Sequence, residues 1–106
     1  MRFAYLVIYK GTSEDPNAFL RYYIDVHLPL VWTFPKIRAV QVERGVDSGD
    51  IFMVARFLFD TLEDLRAAIT SEQRERARAD SREFILPKFK GTVHHQAVEI
   101  LDIPRE

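Results

Sequence analysis

Few side chains in this sequence are suited to acid–base chemistry, and one of them has unusual surroundings. His27 lies in "YYIDVHLPLVWTFP" (22–35), an aromatic helical stretch interrupted by a proline. An imidazole titrates near 6.5, close enough to neutrality for modest surroundings to make it an acid or a base. Burial among Tyr22, Tyr23 and Trp32 disfavours its cation, whereas a helix C-terminus just before Pro29 favours it by ~0.3–1 kcal/mol when exposed. The plain reading is a core histidine bonded to a backbone carbonyl. The sharper one is a general acid/base that moves a proton at a carbon beside a carbonyl.

The other candidates are weaker. His94 and His95 are strand neighbours, so they project to opposite faces and cannot chelate one metal together. A metal site would need His27, one of that pair and a carboxylate such as Glu99. That spacing matches no ligand motif, so no metal is expected. Arg56 interrupts an apolar strand, on the face that alternation gives to Phe52, Val54 and Leu58. It pairs with Glu43 or Glu99, or else holds a substrate carboxylate or enolate. Gln41 and Gln96 are polar edge-strand residues able to orient a ligand. Tyr22, Tyr23 and Trp32 are candidates to line a pocket for a flat molecule. The run "RERARADSR" (74–82) reads as a solvated helix face, with Glu75 near Arg78 and Asp80 near Arg76 as weak ion pairs.

The elements that must position these groups are legible from their periods. "FAYLVIY" (3–9) and "IFMVARFLF" (51–59) are short apolar runs, the mark of buried strands. "KIRAVQVERG" (36–45) and "TVHHQAVEIL" (92–101) mix polar and apolar residues, as edge strands do. Asp15 and Pro16 form an N-cap and first helical position. Phe19, Tyr22/Tyr23, Val26 and Leu30 then form one helix stripe. Pro29 is expected to end or kink this helix and to bias Leu28 away from helical geometry. Asp60 with Glu63 reads as a capping box for a helix carrying Leu62, Leu65, Ala68 and Ile69. Ser71 starts a further helical segment, whose Phe84 and Ile85 return to the core before Pro87.

The order is β-α-β-β-α-β, an α+β, ferredoxin-like arrangement with a four-stranded antiparallel sheet. Its 106 residues fit one domain, 1–106. Phe3, Tyr5, Val7 and Tyr9 face one side of the sheet; Ala4, Leu6 and Ile8 face the other. Two helices cover one face only, so the second is expected to be covered by another copy of the chain. The expectation is a homodimer through the sheet face.

Composition removes several classes. Fifteen basic and sixteen acidic residues leave a formal charge of −1 with no basic stripe, so no nucleic-acid partner is expected. Cysteine is absent, which excludes disulfides and thiolate chemistry. The N-terminus lacks the pattern of a signal peptide, and no apolar run approaches the ~20 residues of a membrane span. A cytoplasmic protein without a membrane partner is expected. Four scattered glycines make no phosphate loop, so no nucleotide or flavin cofactor is expected.

"FLRYYIDVHLPLV" followed by "FPKIRAVQVERG" resembles the signature of the EthD family, in which an aromatic helix reaches His-x-Pro-Leu-Val before a second strand. "MVARFLFDTLEDLRAAITSEQ" is similar to that family's third strand and second helix. Together these stretches span most of residues 3–90. The resemblance implies a dimeric α+β barrel with a small-molecule pocket between each sheet and its helices. Barrels of this kind include isomerases, polyketide cyclases, cofactor-free monooxygenases and haem-binding proteins. It therefore implies an enzyme acting on a compact cyclic or aromatic carbonyl compound, by proton transfer or cofactor-free oxygenation. His27 would be its acid/base, with Tyr22, Tyr23, Trp32, Arg56, His94 and Gln96 around the substrate and no cofactor. The rival expectations are a ligand-binding accessory dimer without turnover, a haem barrel using His27 or His94, and a purely structural dimer.

Overall fold

The computed structural model describes residues 1–105. Strands β1 (Phe3–Thr12), β2 (Ala39–Arg44), β3 (Ile51–Phe59) and β4 (Lys90–Glu99) form one antiparallel sheet in the order β2-β3-β1-β4. The two apolar strands are central and the two mixed strands are at the edges, because only a central strand is shielded by neighbours on both sides. The fold is α+β and ferredoxin-like. Both edge strands differ from their expected spans. β2 begins at Ala39, after Lys36 takes a left-handed conformation with φ 64°. β4 begins two residues early, at Lys90. That early start depends on glycine: Gly11 and Gly91 pair across β1 and β4, and a Cβ on Gly91 would lie 1.9 Å from the Lys10 carbonyl oxygen. Two side chains have no room there.

Alternation along the strands places Tyr5, Val7, Tyr9, Met53, Ala55 and Phe57 under the helices, where the core lies. Ala4, Leu6, Ile8, Val54 and Leu58 point the other way; Ala4 and Leu58 are buried within the chain, while Leu6, Ile8 and Val54 remain partly exposed. Phe52 departs from this alternation. The β1–β3 register skips it, from Tyr9↔Met53 to Lys10↔Ile51. A bulge of this kind turns two successive residues toward one face. Phe52 therefore meets Phe19 and Phe89, with ring centroids 5.3 and 5.5 Å away, and does not share a face with Arg56.

The first helical segment comprises α1 (Pro16–Tyr22), a π-helical turn (Tyr23–His27) and α2 (Leu28–Val31). Asp15 caps it through the Ala18 amide. Pro29 does not end it, and Leu28 keeps helical angles, φ −61° and ψ −34°. The wide turn is the reason: the Leu28 amide reaches back five residues to the Tyr23 carbonyl, which carries the chain past a ring that a regular α-turn would meet. The second segment repeats the device. After α3 (Leu62–Ile69) and α4 (Glu72–Asp80), a π-turn at Ser81–Ile85 precedes another Leu-Pro pair, and the Leu86 amide reaches the Ser81 carbonyl.

The π-turn also rotates the buried face. The shielded residues run Phe19, Leu20, Tyr23, His27, Leu28 and Val31, while Val26, expected in the stripe, is exposed. At the second segment, Thr61 and not Asp60 is the N-cap of α3, accepting from the Asp64 amide. Asp60 instead meets the N-terminal ammonium at 3.2 Å and Arg38 at 3.5 Å. Ser71 caps α4 as expected. Ile85 is buried, but Phe84 is half exposed.

Candidate functional site

The end of α4 lies against the first helical segment, and a buried polar cluster forms where they meet. Asp80, the last residue of α4, reaches across to the first helical segment. Its Oδ2 lies 2.9 Å from His27 Nδ1, and its Oδ1 accepts from the Tyr22 hydroxyl at 2.6 Å. The side chains of His27 and Asp80 are 7% and 11% exposed, so the pair is largely withdrawn from water. π-turns inside α-helices recur at functional sites because they aim side chains that a regular turn would point elsewhere.

The electrostatics favour a neutral imidazole. Burial lowers the pKa of His27, opposed by the hydrogen bond and charge of Asp80. A neutral ring beside a carboxylate puts its proton on Nδ1, which donates to Asp80, and leaves Nε2 with a free lone pair. No described side-chain N or O atom is both buried and without a partner, and Nε2 is bonded to nothing. That atom is therefore accessible, on a residue that lines a cavity.

That cavity has a volume of about 50 Å³. Val7, Val31, Phe34, Phe57 and Ala77 form its apolar floor, with Tyr9, Tyr23 and Ser81 beside the imidazole. The Tyr23 and His27 rings lie 4.9 Å apart. Arg74, Arg78, Tyr5 and His95 surround the mouth. Arg74 is fixed there, donating to the Ile69 carbonyl at 2.9 Å and the Tyr5 hydroxyl at 3.1 Å. Burial pushes the Tyr9 phenol up to about 12, with hydrogen bonds to Tyr23 and Ser81 in partial opposition; burial also holds Tyr23 well above its usual value. His95 is lowered by burial first and then by Arg74, Arg78 and His94. The phenols stay protonated near neutrality, and only His27 combines an ordering carboxylate with a free basic nitrogen.

The sequence candidates separate into two groups. Tyr23 lines the His27 cavity, and Tyr22 anchors Asp80. Burial first, then the bond to and charge of Asp80, push Tyr22 up to about 12. Arg56, His94 and Gln96 lie on the other side of the sheet, where alternation from Leu6, Ile8 and Val54 puts them. Arg56 donates to Glu43 at 2.7 Å, the ordinary partner for an arginine on a sheet. His94 meets Thr92 at 3.2 Å, so its neighbour His95 is the histidine at the mouth. Trp32, at the C-cap of α2, is half exposed and lines no part of the His27 cavity. Among the described residues, no three His, Asp or Glu side chains converge, and no helix is long and apolar enough to cross a membrane.

Asp80, Arg74 and Arg78 lie in the run read as solvated surface. Glu75 does meet Arg78, at 4.0 Å, but Asp80 turns inward. The signal was the spacing of Arg74, Ala77, Arg78 and Ser81, one helix face on which cationic and small residues alternate.

No protein-family model matches the sequence, and no curated protein matches it. Solved structures do. An EthD family protein from Bacillus halodurans is 23% identical with a TM-score of 0.79, covering 95% of this chain and 100% of that one. SnoaB, a cofactor-independent oxygenase from Streptomyces nogalater, is 12% identical with a TM-score of 0.68, covering 99% and 98%. A dimeric ferredoxin-like protein of unknown function from Thermobifida fusca is 14% identical with a TM-score of 0.64, covering 94% and 90%. These likenesses show the fold, and the resemblance to EthD proteins read from the His27 motif is met again in three dimensions.

Proposed function

We propose that this chain is an EthD-like small-molecule enzyme whose first step is removal of a proton from a carbon beside a carbonyl, with His27 Nε2 as the base. The observation that carries this reading is the 2.9 Å contact of His27 Nδ1 with Asp80, which leaves the other nitrogen free on a residue that lines a cavity. Asp80 orients the ring and stabilises the imidazolium formed when Nε2 takes the proton. The electron pair of the broken C–H bond passes to the carbonyl oxygen as an enolate. Arg74 and Arg78 at the mouth favour that anion.

Isomerisation and cofactor-free oxygenation share this beginning. An isomerase returns the proton to a different carbon, while an oxygenase hands the enolate to dioxygen. The oxygenase among the structural relatives agrees with either continuation. At about 50 Å³ the cavity admits only the reacting edge of a compact cyclic or aromatic carbonyl compound. The remainder rests at the cationic mouth. A porphyrin has no room there, which counts against the haem reading.

The unit is a homodimer. Leu6, Ile8 and Val54 are partly exposed apolar residues on a sheet face with no helix over it, and a relative of this fold is dimeric. An identical face is the simplest cover.

Deuterium exchange tests the base before the natural substrate is identified. The protein is incubated in D₂O with a panel of cyclic and aryl ketones, including β-tetralone, and α-deuteration is followed by NMR. Exchange that disappears in His27→Ala is expected. Exchange that survives in that variant, or no exchange across the panel, overturns the proposal.

A further inference from the structure

A second, larger cavity lies on the far side of Tyr22. Its volume is about 430 Å³, within the ~300–1,000 Å³ of small-molecule sites, whereas the His27 cavity falls well below it. Its walls come from the start of α1 and from the end of the second helical segment. Phe19, Tyr22, Phe84 and Ile85 make them largely aromatic and apolar. Phe84 is half exposed and lines this space, with its ring 6.1 Å from that of Tyr22.

The charged groups at the cavity are two lysines, Lys88 and Lys90, and two carboxylates, Glu14 and Asp15, with the Ser13 hydroxyl beside them. Lys88 lines it, and among the described residues no carboxylate lies within ion-pairing distance of its ammonium. Lys90 has only Glu14, at 4.0 Å. Asp15 is occupied in capping α1. Ser13 is buried and lines the cavity; its hydroxyl bonds to no described group, and no described buried side-chain oxygen lacks a partner. The hydroxyl is therefore accessible, on a residue that lines the cavity. An aromatic wall, an uncommitted ammonium and a free hydroxyl together suit one ligand chemistry.

We infer that this cavity is a second binding site, for a flat aromatic carboxylate that stacks on Phe84 and sets its anion on Lys88 and the Ser13 hydroxyl. Its walls include neither His27 nor Asp80, and it shares with the first site only Tyr22, whose hydroxyl donates to Asp80. A stacked ring in this cavity covers Phe84 and gives Lys88 the counter-ion it lacks.

β-Naphthoate is the probe, titrated into the intact folded chain by calorimetry with backbone amide NMR shifts to locate it. Saturable binding is expected, with shifts concentrated in residues 13–22 and 84–90. Lys88→Met, which keeps the apolar stem, should weaken β-naphthoate about fivefold while leaving the uncharged β-naphthamide unchanged. Phe84→Ala should weaken both, and His27→Ala should weaken neither. Absence of saturable binding, equal effects of Lys88→Met on the acid and the amide, or shifts confined to the His27 cavity would overturn the inference. None of those results bears on proton transfer at His27, which is read by deuterium exchange.

Discussion

Replacing Asp80 with asparagine separates a dyad from a coincidental contact. The carboxylate accepts from Tyr22 at 2.6 Å and from His27 at 2.9 Å, in a setting that is largely dry. Asparagine keeps the shape but removes the charge, and its amide can donate to Nδ1. A donor there favours the tautomer protonated on Nε2, which removes the base from the cavity. General-base catalysis is worth ~10²–10⁴-fold, so the deuterium-exchange rate at neutral pH should fall by that order. The pH profile supplies a second sign. Asp80 raises the His27 pKa against the lowering effect of burial, so removing its charge should lower that pKa further. The rising limb of the rate should move to lower pH even as the plateau drops. A variant that keeps the wild-type plateau, or whose limb moves to higher pH, would refute the reasoning.

Other consequences are open to direct measurement. The His27 pKa is lowered in the folded chain, so below about 6.5 the unfolded chain binds the proton more readily. Unfolding free energy from urea titrations should be flat in this contribution above that pH, decline as pH falls through it, and level off below the folded value; His27→Gln should reduce the slope, leaving the part that the lowered His95 contributes. Gly91→Ala puts a methyl group 1.9 Å from the Lys10 carbonyl oxygen at φ 150°, and should cost about 1–3 kcal/mol in the same assay. Ile8→Lys places a charge in the middle of the uncovered sheet face, between Val54 and His94. Light scattering should give a single-chain mass for it and a two-chain mass for the parent; equal masses would remove the sheet-face dimer.

The strands and their order could be read from the sequence because their signal is composition over many residues. "FAYLVIY" and "IFMVARFLF" could hardly lie at an edge, and they do not. The course of the first helix was not legible in the same way. An α-helical period through residues 19–30 puts Val26 inside and His27 at the margin, but one extra residue in the turn exchanges them. The device leaves only a faint trace, the Leu-Pro pair after each π-turn at 28–29 and 86–87. His27 could be singled out from its type and neighbours; its partner could not. Asp80 is 53 residues away in a run of charges, and a carboxylate among arginines looks like surface until the fold brings it against another helix. Arg56 drew notice because it broke an apolar strand, yet a strand facing away from the helices tolerates such a residue once Glu43 is beside it.

The protonation state of His27 is the most direct point of test. Two-bond ¹H–¹⁵N correlation spectra of labelled protein at pH 7.5 distinguish a protonated ring nitrogen from a bare one. The account predicts a neutral ring with its proton on Nδ1 and an unprotonated Nε2. A proton on Nε2, or a ring that is fully cationic at that pH, would contradict it.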